Sequence, residues 1–470
     1  MADSDLTSQA TSAPGKVFLA GGYLVLDRAY TALVFGLDAR IHVHIEPIRI
    51  ESGVTLSEII VRSPQFRGAV WEYGYRLVER DGGIGVTQLR ASHDDRIDRN
   101  PFIETTLTYA LTYISTLHPG TPISPSNISI LASSAYYSTP GTAVPLMSST
   151  TTPSTPFLNF DVPLSAAHKT GLGSSAALVT SFTAALLSHY LSKEEFDLDS
   201  EDGLRVLHNL AQAAHCAAQG KVGSGFDIAS AVYGSCLYRR FSPSLLSSIP
   251  EPCKPSFAPK LRSLIEGDTW DTEIRKAAVQ MPAGLRLVMC DVDCGSETPG
   301  MVKQVLKWRE ENSEEANKIW AELQVGNDAL AAELTRLATE GTASGDGKYA
   351  KLRELFQGNR QLIRQMSAAS GVPIEPPQQT ALLDACSNVP GVIGGVVPGA
   401  GGYDAIVVLL EDNDEVITDL KKLLDGWKVE GETGDDDGVQ IGKVGIIGVR
   451  EEMVGVKRED PEAYKQWVTS

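Results

Sequence analysis

Long apolar runs, paired cysteines and basic stripes are all missing from this sequence, and each absence removes a class of function. No apolar run approaches the roughly 20 residues that a membrane-spanning helix needs, and the mean hydropathy is -0.08. The six cysteines (Cys216, Cys236, Cys253, Cys290, Cys294 and Cys386) include no C-x-x-C pair. That argues against a cysteine zinc site or a disulfide scaffold and for reduced thiols in a cytoplasmic protein. Lys and Arg number 41 against 59 Asp and Glu, a net charge of -18 with no basic stripe, so no nucleic-acid partner is expected. The first residues, 1–14, hold neither a basic region nor an apolar core, so no signal peptide is expected, and 466–470 carry no lipidation or SKL-type signal. An anionic ligand would need a few local cations to overcome the acidic field, and lysines beside glycine-rich turns are the place to look.

What is present is an ordinary globular composition, 42% hydrophobic and 21% charged over 470 residues. At roughly 100–200 residues each, that length predicts two or three domains. The runs 17–20 and 23–26 read as two strands around a Gly21-Gly22 turn, and 40–50 reads as another. Asn100-Pro101 is a cap followed by a first-turn proline, opening a helix to about Leu117. Further helices are predicted over 174–191 and 204–218, the second stopped by Gly220. The segment 227–236 begins helical and turns at Gly234 into a strand. Proline and serine accumulate over 242–260, which places the domain junction in or just after that stretch and gives domains 1–250 and 251–470. Strands follow at 285–289, 393–397, 405–410 and 444–449, with a helical region from Thr298-Pro299 broken at Gly326 and 341–347. Residues 133–163 read as a mobile Ser/Thr/Pro-rich insertion, and 431–438 as a solvated acidic loop.

Lys169-Thr170-Gly171-Leu172-Gly173-Ser174-Ser175-Ala176-Ala177 is the most informative segment. Two glycines permit a tight turn, and a small-residue helix starts immediately after them. Unpaired N–H groups at that helix start, aided by the helix dipole, favour an anion in the loop. Ser174 and Ser175 add hydroxyls for phosphate oxygens or Mg²⁺, and Lys169 adds charge. Three readings compete: a plain capped turn, a dinucleotide fingerprint, and a nucleoside triphosphate loop. Gly171, Gly173 and Ala176 match G-x-G-x-x-A, with Glu194 or Glu195 about 20 residues on, but no βαβ context surrounds them. A Walker A motif is absent; 438–443 has the wrong spacing and Val444 where a hydroxyl belongs.

Three ordered segments resemble the GHMP kinase family, which includes galactokinase, homoserine kinase and mevalonate kinase. They are Ala13-Pro14-Gly15-Lys16 through Tyr23, Gly171 to Ala176, and Gly395 through Gly399, Gly401 and Gly402 to Asp404. They span almost the whole chain. The resemblance implies a two-domain α+β fold, an N-terminal nucleotide domain and a ferredoxin-like C-terminal domain with a cleft between them. Gly22 after Gly21, with the stretches 220–227 and 295–300, is similar to the eukaryotic, fungal-type branch whose acceptor is 5-phosphomevalonate. That implies ATP-dependent phosphoryl transfer to a phosphate group, giving 5-diphosphomevalonate and ADP in the mevalonate pathway of isoprenoid and sterol synthesis. Rivals are mevalonate kinase, the ATP-consuming diphosphomevalonate decarboxylase, and a non-catalytic sensor of the same fold.

The resemblance also implies residue roles. Lys16 would bridge the acceptor and the γ-phosphate, and Asp227, whose plain reading is a helix cap, would be the active-site aspartate. Lys169, Gly171, Leu172, Gly173, Ser174, Ser175 and Ala176 would hold ATP. Lys221, Ser224, Ser296, Thr298, Gly399 and Gly401 would serve the acceptor. Mevalonate and homoserine kinases carry a metal-binding glutamate on the helix before the aspartate, whereas 215–220 here contains no carboxylate. Mg²⁺ would then rest on Ser174 or Ser175, phosphate oxygens and water. Gln219 is placed to hydrogen-bond such a water, and His215 reads as an ordinary helix histidine.

Overall fold

The structure is a computed structural model and describes residues 6–51, 56–89, 99–138, 157–276, 278–292, 300–340, 347–427 and 443–468. A ten-stranded sheet organises the N-terminal part, with Ala32–Pro47 at its centre. Gln9–Ala20, Ser126–Ala132 and Cys236–Arg239 all pair antiparallel with that strand. Its side chains sort by the two-residue period of a strand. Leu33, Phe35, Leu37, Ile41, Val43 and Ile45 enter the main core, while Ala32 and Val34 enter a second cluster with Tyr238.

Helices Pro101–Leu117, Ser174–Tyr190 and Glu201–Gln219 supply the other half of the main core through Leu107, Leu111, Leu186, Leu187, Leu207 and Leu210. Asn100 caps the first of them, its side chain accepting from the Ile103 N–H, and Pro101 takes the first turn as expected. The C-terminal part is a four-stranded antiparallel sheet with Leu285–Val292 and Ala405–Glu411 in the middle and Val392–Val396 and Val444–Ile447 at the edges. In chain order that is 2-3-1-4, the ferredoxin-like arrangement. The two-domain α+β architecture is therefore observed.

Four expectations change. Residues 24–26 form a turn of 3₁₀ helix, not a strand, because positive φ at Gly21 (95°) and Tyr23 (62°) reverses the chain. Their N–H groups are used locally, Leu24 to Gly22 and Val25 to Gly21. Gly326 does not break its helix, which runs Ser313–Glu340; a side chain there would collide with Asn359 of the neighbouring helix Ala350–Ser370. The junction drawn at 250 is crossed by the first domain: helix Phe257–Glu266 buries Phe257, Leu261 and Ile265 in the main core, and Glu273–Arg275 pairs with Cys236–Arg239. Near the chain end, Glu451–Glu452 and Lys457–Glu459 return to the same sheet. Finally, the margins of the 133–163 insertion are packed. Tyr136, Tyr137 and Phe157 are buried, and Phe160 stacks on Phe66 at 5.1 Å. The tract 148–156, Ser296, Thr298 and the acidic segment 431–438 lie outside the described residues.

Candidate active site

Pro14 sets the position of Lys16. It has no N–H for the ladder, and the register against Ala32–Pro47 shifts between Pro14 and Gly15. Just past the shift, the Lys16 N–H donates to the Leu172 carbonyl at 2.9 Å and its Nζ to the Gly171 carbonyl at 3.3 Å. Strand and loop are thus stitched together by main chain and side chain of one residue. Gly15 permits the approach, since a Cβ there would stand 2.9 Å from the Leu172 oxygen and the Tyr136 hydroxyl.

The loop itself is anchored by Thr170, which donates from Oγ1 to Ala135 O at 2.6 Å and from N to Tyr136 O at 3.2 Å. Gly171 and Gly173 then take positive φ, 72° and 79°, and Gly173 becomes the N-cap of Ser174–Tyr190. No side chain bonds that cap and no acid occupies the first turn. The first N–H groups of the helix are left for a ligand, in a field that favours negative charge. Leu172 and Ala176 are buried and hold the loop against the core, while Ser174 and Ser175 are half-buried at the helix start.

Asp227 lies in the first turn of Phe226–Tyr233, whose N-cap is Gly225, so the plain capping role expected for the aspartate belongs to its neighbour. Only glycine serves at 225, where φ is 86° and a Cβ would meet the Tyr238 hydroxyl at 2.6 Å and Gln212 at 2.7 Å. Phe226 packs edge-on against Phe18 with centroids 4.1 Å apart, which ties this helix to the strand that carries Lys16. Burial pushes the Lys16 ammonium below its ordinary pKa, and the charge of Asp227 opposes that shift.

His215 is the functional candidate that sequence reasoning set aside. It is 2% exposed near the end of Glu201–Gln219. Its Nε2 lies 3.1 Å from the Ser175 Oγ and 3.3 Å from the Gln219 amide nitrogen, and its Nδ1 lies 3.8 Å from Asp227 Oδ2. Phe102 stacks on the ring. The sequence signal was the spacing of His215 and Gln219, one helical turn apart, in the place where relatives' carboxylate was sought. Among the described residues no cluster of three or more His, Cys, Asp or Glu could hold a metal ion; the Ser174 and Ser175 hydroxyls are oxygen donors of the kind Mg²⁺ takes and stand half-buried at the helix start.

The remaining candidates sit at the margins. Lys169 and Lys221 are exposed, the latter following the left-handed cap Gly220 with its N–H on Cys216 O at 3.2 Å. Arg240 holds the next residues through Val222 O and Gly223 O at 3.1 and 2.9 Å, and the Tyr238 hydroxyl donates to Ser224 O at 2.8 Å. From the second domain, Gly399 abuts Gly22 so closely that a Cβ on Gly22 would stand 2.6 Å from the Gly399 oxygen, and Tyr23 donates to Ala400 O at 2.6 Å. Gly401 instead packs against the Ile374 backbone.

The GHMP kinases N terminal domain model matches residues 153–235, and the GHMP kinases C terminal model matches 350–428. A phosphomevalonate kinase of Gibberella zeae is 52% identical over 98% of both chains, and one of Aspergillus fumigatus is 47% identical over 98% of both. Among solved structures, Streptococcus pneumoniae phosphomevalonate kinase in complex with phosphomevalonate and AMPPNP aligns over 96% of this chain and 99% of its own, with TM-score 0.56 and 18% identity. That last similarity speaks to fold; the sequence relatives speak to family. The chain belongs to the GHMP kinases and, within them, to the phosphomevalonate kinases.

Proposed function

We propose that this chain transfers the γ-phosphoryl group of ATP to 5-phosphomevalonate, yielding 5-diphosphomevalonate and ADP in the mevalonate pathway to isoprenoids and sterols. The observation that carries the mechanism is Lys16, whose ammonium contacts the Gly171 carbonyl of the phosphate loop while lying in the field of Asp227. In this reading an oxygen of the acceptor phosphate attacks the γ-phosphorus as the bond to the β-phosphate oxygen breaks. The acceptor's second pKa is about 6, so near neutrality it arrives largely deprotonated. The difficulty is repulsion between two phosphates, and positive charge fixed in place answers it.

Lys16 supplies that charge between the reacting groups. Asp227 keeps it protonated in a site whose burial would otherwise favour the neutral amine. The N–H groups after Gly171 and Gly173 hold the departing ADP phosphates, with Leu172 and Ala176 fixing the loop and Lys169 at its rim. Ser174 and Ser175 are the residues that would hold Mg²⁺, which when bound supplies further positive charge at the phosphates. Lys221, Ser224, Ser296 and Thr298 are assigned to the acceptor side, with Gly399 and Gly401 shaping the turn that borders it against Gly22 and Ile374. With four of the five described free cysteines buried as thiols, we place the enzyme in the cytoplasm.

One assay of ADP release across mevalonate, 5-phosphomevalonate, 5-diphosphomevalonate, galactose and homoserine tests the reading. Turnover with 5-phosphomevalonate and no CO₂ release is expected. Preference for mevalonate, or decarboxylation of the diphosphate, would overturn it.

A further inference from the structure

His215 joins the two halves of the site. It comes from Glu201–Gln219, yet its ring reaches Ser175 at the start of Ser174–Tyr190 and Asp227 in the first turn of Phe226–Tyr233. Three helices therefore converge on one buried imidazole, pinned from the side by the Phe102 ring at 5.7 Å. The two ring nitrogens face different chemistry. Nδ1 lies 3.8 Å from a carboxylate oxygen, beyond hydrogen-bond length, and the charge of that carboxylate favours a proton on the nitrogen facing it. Nε2 faces the Gln219 amide nitrogen, a donor, at 3.3 Å, which calls for a lone pair there. Both contacts favour the hydrogen on Nδ1 and the lone pair on Nε2.

That tautomer has a consequence for Ser175. With Nε2 as acceptor, the Ser175 hydroxyl, the nearer of that nitrogen's two partners at 3.1 Å, donates its proton back to the ring, and the Gln219 amide shares the same lone pair from 3.3 Å. Its oxygen lone pairs are then turned away from His215. A serine oriented in this way is a fixed acceptor, suited to a cation and poorly suited to donating to phosphate.

We propose that His215 is a positioning residue: its Nε2 fixes Ser175 as a metal-facing acceptor, and its Nδ1–H restrains the Asp227 carboxylate that serves Lys16. The proposal rests on the phosphoryl-transfer reading for the identity of the cation and the nucleotide. Partners that orient a metal ligand from behind usually change metal affinity or activity about 10–100-fold when removed.

Two substitutions separate the two contacts. His215→Gln can keep an acceptor near the Nε2 position and loses the Nδ1–H; His215→Asn keeps a donor near Nδ1 and loses the acceptor for Ser175. ADP binding is measured by calorimetry with and without Mg²⁺, so that no turnover is needed, and kcat and KM are measured separately. His215→Asn should weaken Mg·ADP about 10-fold while leaving metal-free ADP within about 2-fold. His215→Gln should bind Mg·ADP within about 2-fold of the parent and lose about 10-fold in kcat. Equal weakening of ADP with and without Mg²⁺, or the same profile in both variants, would overturn the proposal and make His215 a packing residue. Should the parent bind Mg·ADP but not turn over 5-phosphomevalonate, the acceptor assignment fails while the binding comparison still decides His215. A His215→Ala variant with a lowered melting temperature does not enter that decision, because the two amide variants are compared with each other.

Discussion

Two glycine-rich turns, one in each domain, are similar in composition and opposite in use. At Gly171 nothing lies within 4 Å of where a Cβ would be, and the neighbouring Gly173 faces only the Lys16 side chain. That turn keeps its N–H groups open and the Lys16 side chain close. At Gly401 a Cβ would stand 2.3 Å from the Ile374 oxygen, and the Gly402 N–H already donates to that same oxygen at 3.1 Å. The second turn spends its freedom on packing: it lets the chain fold tightly over Ile374 and presents Gly399 and Ala400 to Gly22 and Tyr23. Glycine content alone does not separate an open turn from a packed one. What lies opposite the missing side chain does.

The comparison breaks most sharply at Lys16. Removing a fixed cation that stabilises transferred charge typically costs 10²–10³ in rate, so Lys16→Met should lower kcat at least ~10²-fold. Because burial already disfavours the charged form, the variant should melt no lower than the parent. Its folded pKa lies below the unfolded one, so the charge opposes folding at pH below the folded value and this opposition fades as pH rises toward 10.5. Stability measured from neutral to alkaline pH should therefore rise less in Lys16→Met. A full-rate Lys16→Met enzyme would remove the lysine from the chemistry.

Alanine at each glycine tests the contrast directly. Gly401→Ala adds left-handed strain to a backbone collision and should destabilise by about 2 kcal/mol or more, visible as a lower Tm in calorimetry. Gly173→Ala carries about 1 kcal/mol of the same strain, but its Cβ meets Lys16 Cε at 2.9 Å. It should cost about 10-fold or more in kcat through displacement of Lys16, with a smaller fall in Tm. If the two variants show the same balance of lost activity and lost stability, the distinction between the turns is wrong.

Asp227→Asn should do less harm at neutral pH, since the acceptor needs no base. Its signature is the alkaline limb. The carboxylate holds the Lys16 pKa up against burial, so without it Lys16 loses its proton at lower pH and kcat should fall earlier on the alkaline side. A second loss should grow below about pH 6, where the acceptor gains a proton. A pH–kcat profile that keeps its alkaline limb in place would show that Asp227 acts on something other than Lys16. The smallest effects belong to the exposed cations: Lys169→Ala and Lys221→Ala should raise KM by roughly 2–5-fold, less at high salt, because such charges are screened over about 8 Å at physiological ionic strength.

Local order was legible from residues wherever the determinant is short in range. Asn100-Pro101 opened its helix, Gly220 and Gly234 ended theirs, and the small residues after Gly173 began one. The alternation in 40–50 marked the central strand, which the structure extends to Ala32–Pro47. The apolar run 23–26 misled, since strand and buried turn share the same composition and only the positive φ at Gly21 and Tyr23 tells them apart. Gly326 misled for a related reason: its missing side chain answers to Asn359 on another helix, not to its own backbone.

By itself, then, the sequence determined the glycine turn and helix start at Gly171–Ser174, the place of Lys16 beside its N-terminal motif and the family, because turn geometry, helix starts and ordered motifs are written in adjacent residues. Tertiary structure alone decided that Lys16 reaches the Gly171 carbonyl across 155 positions, that His215 links Ser175 to Asp227, and that the chain's end returns to the first sheet. Those contacts depend on where a strand's register shifts and how three helices converge. Neither is encoded in the spacing of the residues that finally touch.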